Sequence, residues 1–152
     1  MIVSDSTTLI VLLDLDRVDL LSNLFEKVYI PQAVFEEINY KKDVRLPKLF
    51  KLEKVKNIEK LDELKQLLDI GESEAIVLAL EKNMPLIIDE KKGRKIAKNL
   101  GVKIIGLLGI VLLNQKQGFI SKKEAKEFLD NVIARGFRIS KKLIEEFVKT
   151  LD

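Results

Sequence analysis

The chain has 152 residues, 34% of them charged, with 27 basic against 24 acidic side chains and a net charge of +3. It contains neither cysteine nor histidine, which excludes disulfides, thiolate metal sites, imidazole ligands and the commonest general base. Any metal must then sit on oxygen ligands, which favours Mg²⁺ or Mn²⁺ over zinc, and the small positive excess is a mild bias toward anionic partners.

No Pro/Gly/Ser-rich linker interrupts the sequence, so one domain over residues 1–152 is expected, long enough to bury about two thirds of its unfolded surface. The apolar amino terminus lacks a basic leader region and carries Asp5, Asp14 and Asp16. It reads as neither signal peptide nor membrane span, and a cytoplasmic location is expected.

Met1-Ile2-Val3 is a short apolar run that stops at Ser4-Asp5-Ser6-Thr7, where residues able to cap a helix precede the apolar-periodic segment Leu9 to Leu15. The pattern is strand, turn, helix. Asp5 then stands at a strand end beside a helix N-terminus, where unpaired amides and the dipole favour an anion; on this pattern alone Asp5 or Ser6 can equally be a simple cap. Val18 to Phe25 suggests a short helix, Lys27 to Ile30 a strand, and Pro31 the first turn of a helix running to about Asn39. That helix presents Val34, Phe35 and Ile38 to a core, with Glu37 flanking the apolar face and Glu36 further round.

From Lys41 to Lys60 the chain is lysine-rich and less periodic, with a possible edge strand over Phe50 to Val55. Ile58 to Leu68 follows as an exposed amphipathic helix, and Asp69-Ile70-Gly71 as a turn. In Gly71 to Glu90, GESEAIVLALEKNMPLIIDE, the residues Ala75, Ile76, Leu78, Ala79 and Leu80 recur at helical spacing. Asn83-Met84-Pro85 breaks that helix, and Leu86-Ile87-Ile88 is apolar throughout, as suits a strand buried on both faces. This stretch holds two acidic pairs, Glu72 with Glu74 and Asp89 with Glu90. Beyond it Lys91, Lys92, Arg94, Lys95 and Lys98 line a helix that Gly101 ends; they are a phosphate-binding face or merely a solvated one. Val102 to Ile105 is a further strand, Ile110 to Gln117 a helix, Ser121 caps a helix to about Ala134, and Ser140 caps the last.

Short apolar strands alternating with helices predict an α/β protein, a three-layer α/β/α Rossmann-like arrangement around a short parallel sheet. In such sheets strand C-termini and helix N-termini share one edge, where ligands bind. Asp5, Glu37, Glu72 and Asp89 all fall at positions of that kind. If they converge, like charges about 4 Å apart repel by about 4 kcal/mol per pair at an effective dielectric near 20, so the group needs protons or a cation. A divalent ion there would support hydrolysis of phosphodiesters without histidine, with Asp5, Glu37, Glu72 and Asp89 as ligands and Lys91, Lys92 and Arg94 near the phosphates.

The pieces IVSDST (2–7), IPQAVFEEI (30–38), GESEAIVLAL (71–80), LIIDEKKGRKIAKNLGVKIIGLLGIVLL (86–113) and GFRIS (136–140) together give the chain a resemblance to PIN domains. In particular it resembles the short, single-domain branch of toxin nucleases from toxin–antitoxin pairs. The resemblance implies a Mg²⁺ or Mn²⁺ site, endoribonuclease activity on single-stranded RNA, a small antitoxin partner and a homodimer. It assigns the four metal-holding acids to Asp5, Glu37, Glu72 and Asp89, and the hydroxyl after the first acid to Ser6 or Thr7. Glu74 and Glu90 are the alternatives within each pair: Glu72 and Glu74 stand about 200° apart on a helix and cannot enter one cleft equally, and Asp89 directly ends the apolar strand. A module of the same fold that binds RNA or protein without cutting is the alternative function.

Overall fold

The computed structural model describes residues 1–41 and 45–151. Residues 42–44, within the lysine-rich stretch, and residue 152, at the end of the last predicted helix, lie outside the described residues. The chain divides into two compact units, 1–107 and 108–152.

The first unit is built on five parallel strands, β1 (Ile2–Ser4), β2 (Val28–Pro31), β3 (Phe50–Glu53), β4 (Leu86–Ile87) and β5 (Ile104–Ile105), in the order β3-β2-β1-β4-β5. Helices α1 (Ser6–Asp14) and α2 (Asp19–Ser22) connect β1 to β2, α3 (Gln32–Lys41) leads from β2, α4 (Ile58–Lys65) and α5 (Ile70–Lys82) precede β4, and α6 (Lys91–Asn99) joins β4 to β5. This is the expected α/β, Rossmann-like sheet flanked by helices. The inner strands β1, β2 and β4 are mainly apolar and buried because parallel pairing needs crossover helices, which cover them, whereas the edge strand β3, Phe50-Lys51-Leu52-Glu53, is exposed at Lys51 and Leu52. Val3, Leu86 and Ile88 are fully buried and share a core cluster with Leu61 and Leu64 of α4 and with Ile76 and Leu78 of α5. Each such side chain stabilises the fold by about 1.5–3 kcal/mol.

The order of the strands locates the site. From β1 the chain steps outward to β2 and β3, then returns to the other side of β1 for β4 and β5. β1 and β4 are therefore neighbours, with Ser4 paired to Ile87, at the point where the winding reverses and a crevice opens beyond the strand ends.

Several boundaries differ from the periodicity. Pro31 ends β2 instead of opening the helix; as the final residue of its strand it costs the ladder little. Gly71 lies inside α5, whose N-cap is Asp69, so Asp69-Ile70-Gly71 is a helix start and not a free turn. β3 does occupy the sheet edge.

The second unit holds most of α7 (Leu107–Lys116), then α8 (Lys122–Ala134) and α9 (Lys141–Thr150). Ser121 and Ser140 cap α8 and α9 as their sequence positions predict, and α8 carries a full capping box in which Ser121 and Glu124 exchange backbone hydrogen bonds. Gly118 and Gly136, just past α7 and α8, have left-handed φ of 83° and 90°, a conformation side chains disfavour.

Candidate active site

Asp5 follows β1 directly and is 4% exposed. Its amide donates to the Ile87 carbonyl of β4 at 2.9 Å, so pairing of the two central strands fixes it in the crevice. Although Asp5 occupies the N-cap position of α1, its side chain makes no capping bond, which removes the simple-cap reading for this carboxylate. The hydroxyls of Ser6 and Thr8 in the first turn of α1 are likewise used elsewhere, whereas Thr7 is exposed. Ser6 Oγ donates to Glu37 Oε2 at 2.8 Å, and Thr8 Oγ1 to Asp89 Oδ2. One helical turn thus orients an acid from α3 and another from the end of β4.

Asp89 is held further by the Leu107 amide, 3.1 Å from Oδ1. A Cβ on Gly106 would stand 2.6 Å from that oxygen, so only glycine permits this approach. Arg94 donates to the Ile88 carbonyl at 2.8 Å and faces Asp89; its guanidinium tethers the strand end, whereas Lys91 and Lys92 are exposed.

Glu72 starts α5. It is 8% exposed, and its Oε2 is buried without a hydrogen-bond partner. A Cβ on Gly93 would come 2.8 Å from Oε2 and 3.5 Å from Glu90 Oε2, so a bare backbone in α6 gives Glu72 its place beside Glu90. Glu90 itself caps α6 through the Gly93 amide at 2.7 Å. Glu74 turns away: its Oε1 accepts from the Ala33 amide at 2.9 Å and pins the start of α3 to α5.

Asp69 escapes the sequence reading. Its Oδ1 caps α5 by accepting from the Glu72 amide at 2.8 Å. A Cβ on Gly71 would lie 3.4 Å from Glu37 Oε2, 3.6 Å from Asp69 Oδ1 and 3.7 Å from Asp5 Oδ1. Acids from β1, α3 and the α5 cap therefore border one small space floored by Gly71. The pattern Asp69-Ile70-Gly71-Glu72 before an apolar run is a capping-box signature that would have marked Asp69.

The electrostatics follow from this crowding. Burial, with the charges of Asp69, Glu37 and Asp89 added, raises Asp5 to about 7 against the opposing Ser6 amide. Burial also raises Glu72, to about 9, reinforced by Asp69, Glu90 and Asp5. Asp89 rises through burial, opposed by Thr8, the Leu107 amide and Arg94. For Glu90 burial works upward, but the Gly93 amide, Glu72 and the Lys92 amide together hold it below the ordinary carboxylate range. Near neutral pH the metal-free group thus holds protons, and one on Glu72 gives it a donor toward its carboxylate neighbours.

A family model described as a PIN domain matches residues 1–152, across both units. The chain belongs to the PIN-domain family. PIN domains are generally nucleases and typically use divalent metal ions. No curated protein matches the chain. Among the described residues no group of three or more acids stands as a preformed metal coordination shell. The donor set nonetheless fits a hard divalent cation: every donor is an oxygen, Asp5 and Glu72 are buried with Glu37 and Asp89 half-buried beside them, and Glu72 Oε2 has no hydrogen-bond donor.

Proposed function

We propose that this PIN domain is a Mg²⁺- or Mn²⁺-dependent endoribonuclease that hydrolyses phosphodiester bonds of single-stranded RNA. The observation that carries the reading is the convergence of Asp5, Glu37 and Asp69 around Gly71 at the β1/β4 switch point, with Glu72 buried and unsatisfied beside them. Asp5, Glu37, Glu72 and Asp89 would hold the ion. When bound, it supplies Lewis-acid charge at the phosphate and activates water as the nucleophile.

The chain's own residues do the rest. Ser6 Oγ orients Glu37, while Thr8 Oγ1 and the Leu107 amide orient Asp89. Protons held on Asp5 and Glu72 keep the crowded carboxylates together and leave when a cation takes their place. Burial of Asp5 and Glu72 strengthens the electrostatic contacts that these two acids make. Lys91 and Lys92, exposed at the start of α6, attract the phosphate backbone as point charges.

The sequence resemblance to toxin nucleases extends the reading to a toxin with an antitoxin partner, acting as a homodimer in the cytoplasm. No helix among the described residues is long and apolar enough to cross a membrane. The test is cleavage of a labelled single-stranded RNA with Mn²⁺. Wild-type protein cleaves and EDTA stops it, whereas Asp5→Asn loses cleavage while keeping its circular dichroism. Undiminished cleavage by Asp5→Asn, or in EDTA, would reject the assignment.

A further inference from the structure

We propose that Asp69 is a fifth carboxylate of the site, positioned to hold the same divalent cation as Asp5 and Glu37 while it caps α5; this rests on the metal-dependent reading above. Capping alone does not call for a charge here. Asn57, Ser121 and Ser140 accept the same kind of hydrogen bond at the starts of α4, α8 and α9 with neutral side chains, and neutral and acidic caps are about equally effective.

An acid at position 69 instead adds a negative charge to a space that Glu37 and Asp5 already border. Its Oδ1 lies 3.6 Å from a Cβ on Gly71, beside Glu37 Oε2 at 3.4 Å and Asp5 Oδ1 at 3.7 Å. Lys41 Nζ stands 3.6 Å from Glu37 Oε1 and offsets part of that charge from the exposed side, but Asp5 and Asp69 still face each other across the space without a cation between them. A second, independent observation points the same way. Glu72, whose amide Asp69 holds at 2.8 Å, is nine-tenths buried; its carboxyl stands between Asp69 and Glu90, and Oε2 receives no hydrogen bond from any N–H or hydroxyl, so only a proton or a cation can join these acids. Asp69 itself is exposed, so a hydrated ion entering from solvent meets it before the buried acids. One side chain thereby fixes the backbone that carries Glu72 and contributes charge to the same ion.

The substitutions Asp69→Asn and Asp69→Ser keep a cap acceptor and remove the charge, which separates the two roles. Mn²⁺ is titrated calorimetrically into the full chain, and thermal midpoints are measured in EDTA. Both variants should bind Mn²⁺ about tenfold or more weakly, with midpoints no lower than wild type. Glu63→Gln, which removes an exposed charge on α4, should bind as wild type does. Wild-type affinity in both Asp69 variants, or an equal loss in Glu63→Gln, overturns the proposal alone. A wild-type chain that binds no Mn²⁺ overturns the metal-dependent reading and this proposal with it.

Discussion

Helices α5 and α8 begin with the same grammar and end in opposite conditions. Asp69-Ile70-Gly71-Glu72 and Ser121-Lys122-Lys123-Glu124 both place a capping residue three positions before a glutamate. In both, the cap accepts from the glutamate's amide, at 2.8 Å in α5 and 3.0 Å in α8. In α8 the exchange is completed, since Glu124 Oε1 accepts from the Ser121 amide at 3.0 Å in open solvent. In α5 the glutamate is buried among other acids and one of its oxygens has no partner. A satisfied box contributes stability; an unsatisfied buried carboxylate costs it. What the neighbouring strands and helices bring to the helix start decides whether the pattern is a cap or a site.

Glu72→Gln should break this contrast most strongly. Glutamine keeps the shape, gives Asp69 and Glu90 a neutral donor, and removes the cost of holding on the folded chain a proton that the unfolded glutamate releases. In EDTA its stability should rise by about 1–3 kcal/mol, while metal-dependent cleavage falls on the order of 100-fold or more. Glu124→Gln should change neither, because glutamine serves equally in a capping box. Chemical denaturation beside an RNA cleavage assay reads both; a Glu72→Gln that is less stable than wild type would mean that the carboxylate is satisfied after all.

The pH dependence should separate the two helix starts next. Asp5 and Glu72 bind protons more tightly in the folded chain, at about 7 and about 9, than in the unfolded one, where such groups titrate near 4. Between about pH 4 and those folded values the folded state holds more protons. Metal-free stability should therefore fall as pH rises through that window, by an amount on the order of a few kcal/mol. Mn²⁺ should flatten the slope, since it binds the deprotonated site of the folded state. Urea melts in EDTA at pH 5 and pH 8.5 test the sign, and higher stability at pH 8.5 would remove the buried-charge account.

Smaller in effect is Gly93→Ala. The new Cβ would come 2.7 Å from Ile88 Cδ1 and 2.8 Å from Glu72 Oε2. Ile88 is clashed at the far end of its side chain and can turn aside, so the main consequence is displacement of Glu72. The helix interior gains roughly 0.5–1 kcal/mol in propensity, which offsets part of the clash. Cleavage should fall about tenfold with stability within about 1 kcal/mol of wild type. Unchanged Mn²⁺ affinity in this variant would show that Glu72 has another route into the site.

Much of this was legible in the residues. The sheet and its covering helices followed from apolar runs alternating with helical periods, and Asp5 and Asp89 stood out because buried strands end on them. Helical geometry separated Glu72 from Glu74, and the structure gives Glu74 the Ala33 amide. Asp69 was hidden because Asp-x-Gly reads as a turn, although its spacing to Glu72 carried the capping signal. Gly93 and Gly106 could not be found locally: their lack of a side chain matters only because Glu72 and Asp89 arrive from elsewhere in the fold. Nor can a basic helix reveal which cation turns inward. Arg94 does, to the Ile88 carbonyl, while Lys91 and Lys92 stay in solvent.

The smallest expected effect lies at the other end of the comparison. Ser121→Ala removes the acceptor for the Glu124 amide, and with it half of the capping box; water reaches the freed amide because both residues are exposed. The cost should be about 1 kcal/mol, or a fall of about 2–4 °C in the melting midpoint for a chain of this size. A double variant with Glu124→Ala should lose less than the sum of the two single losses, since each partner's bond depends on the other. RNA cleavage and Mn²⁺ affinity should stay at wild-type values in all three. A fall in cleavage at constant stability would mean that the start of α8 takes part in the reaction, and the contrast between a helix start kept for stability and one kept for chemistry would fail from the α8 side.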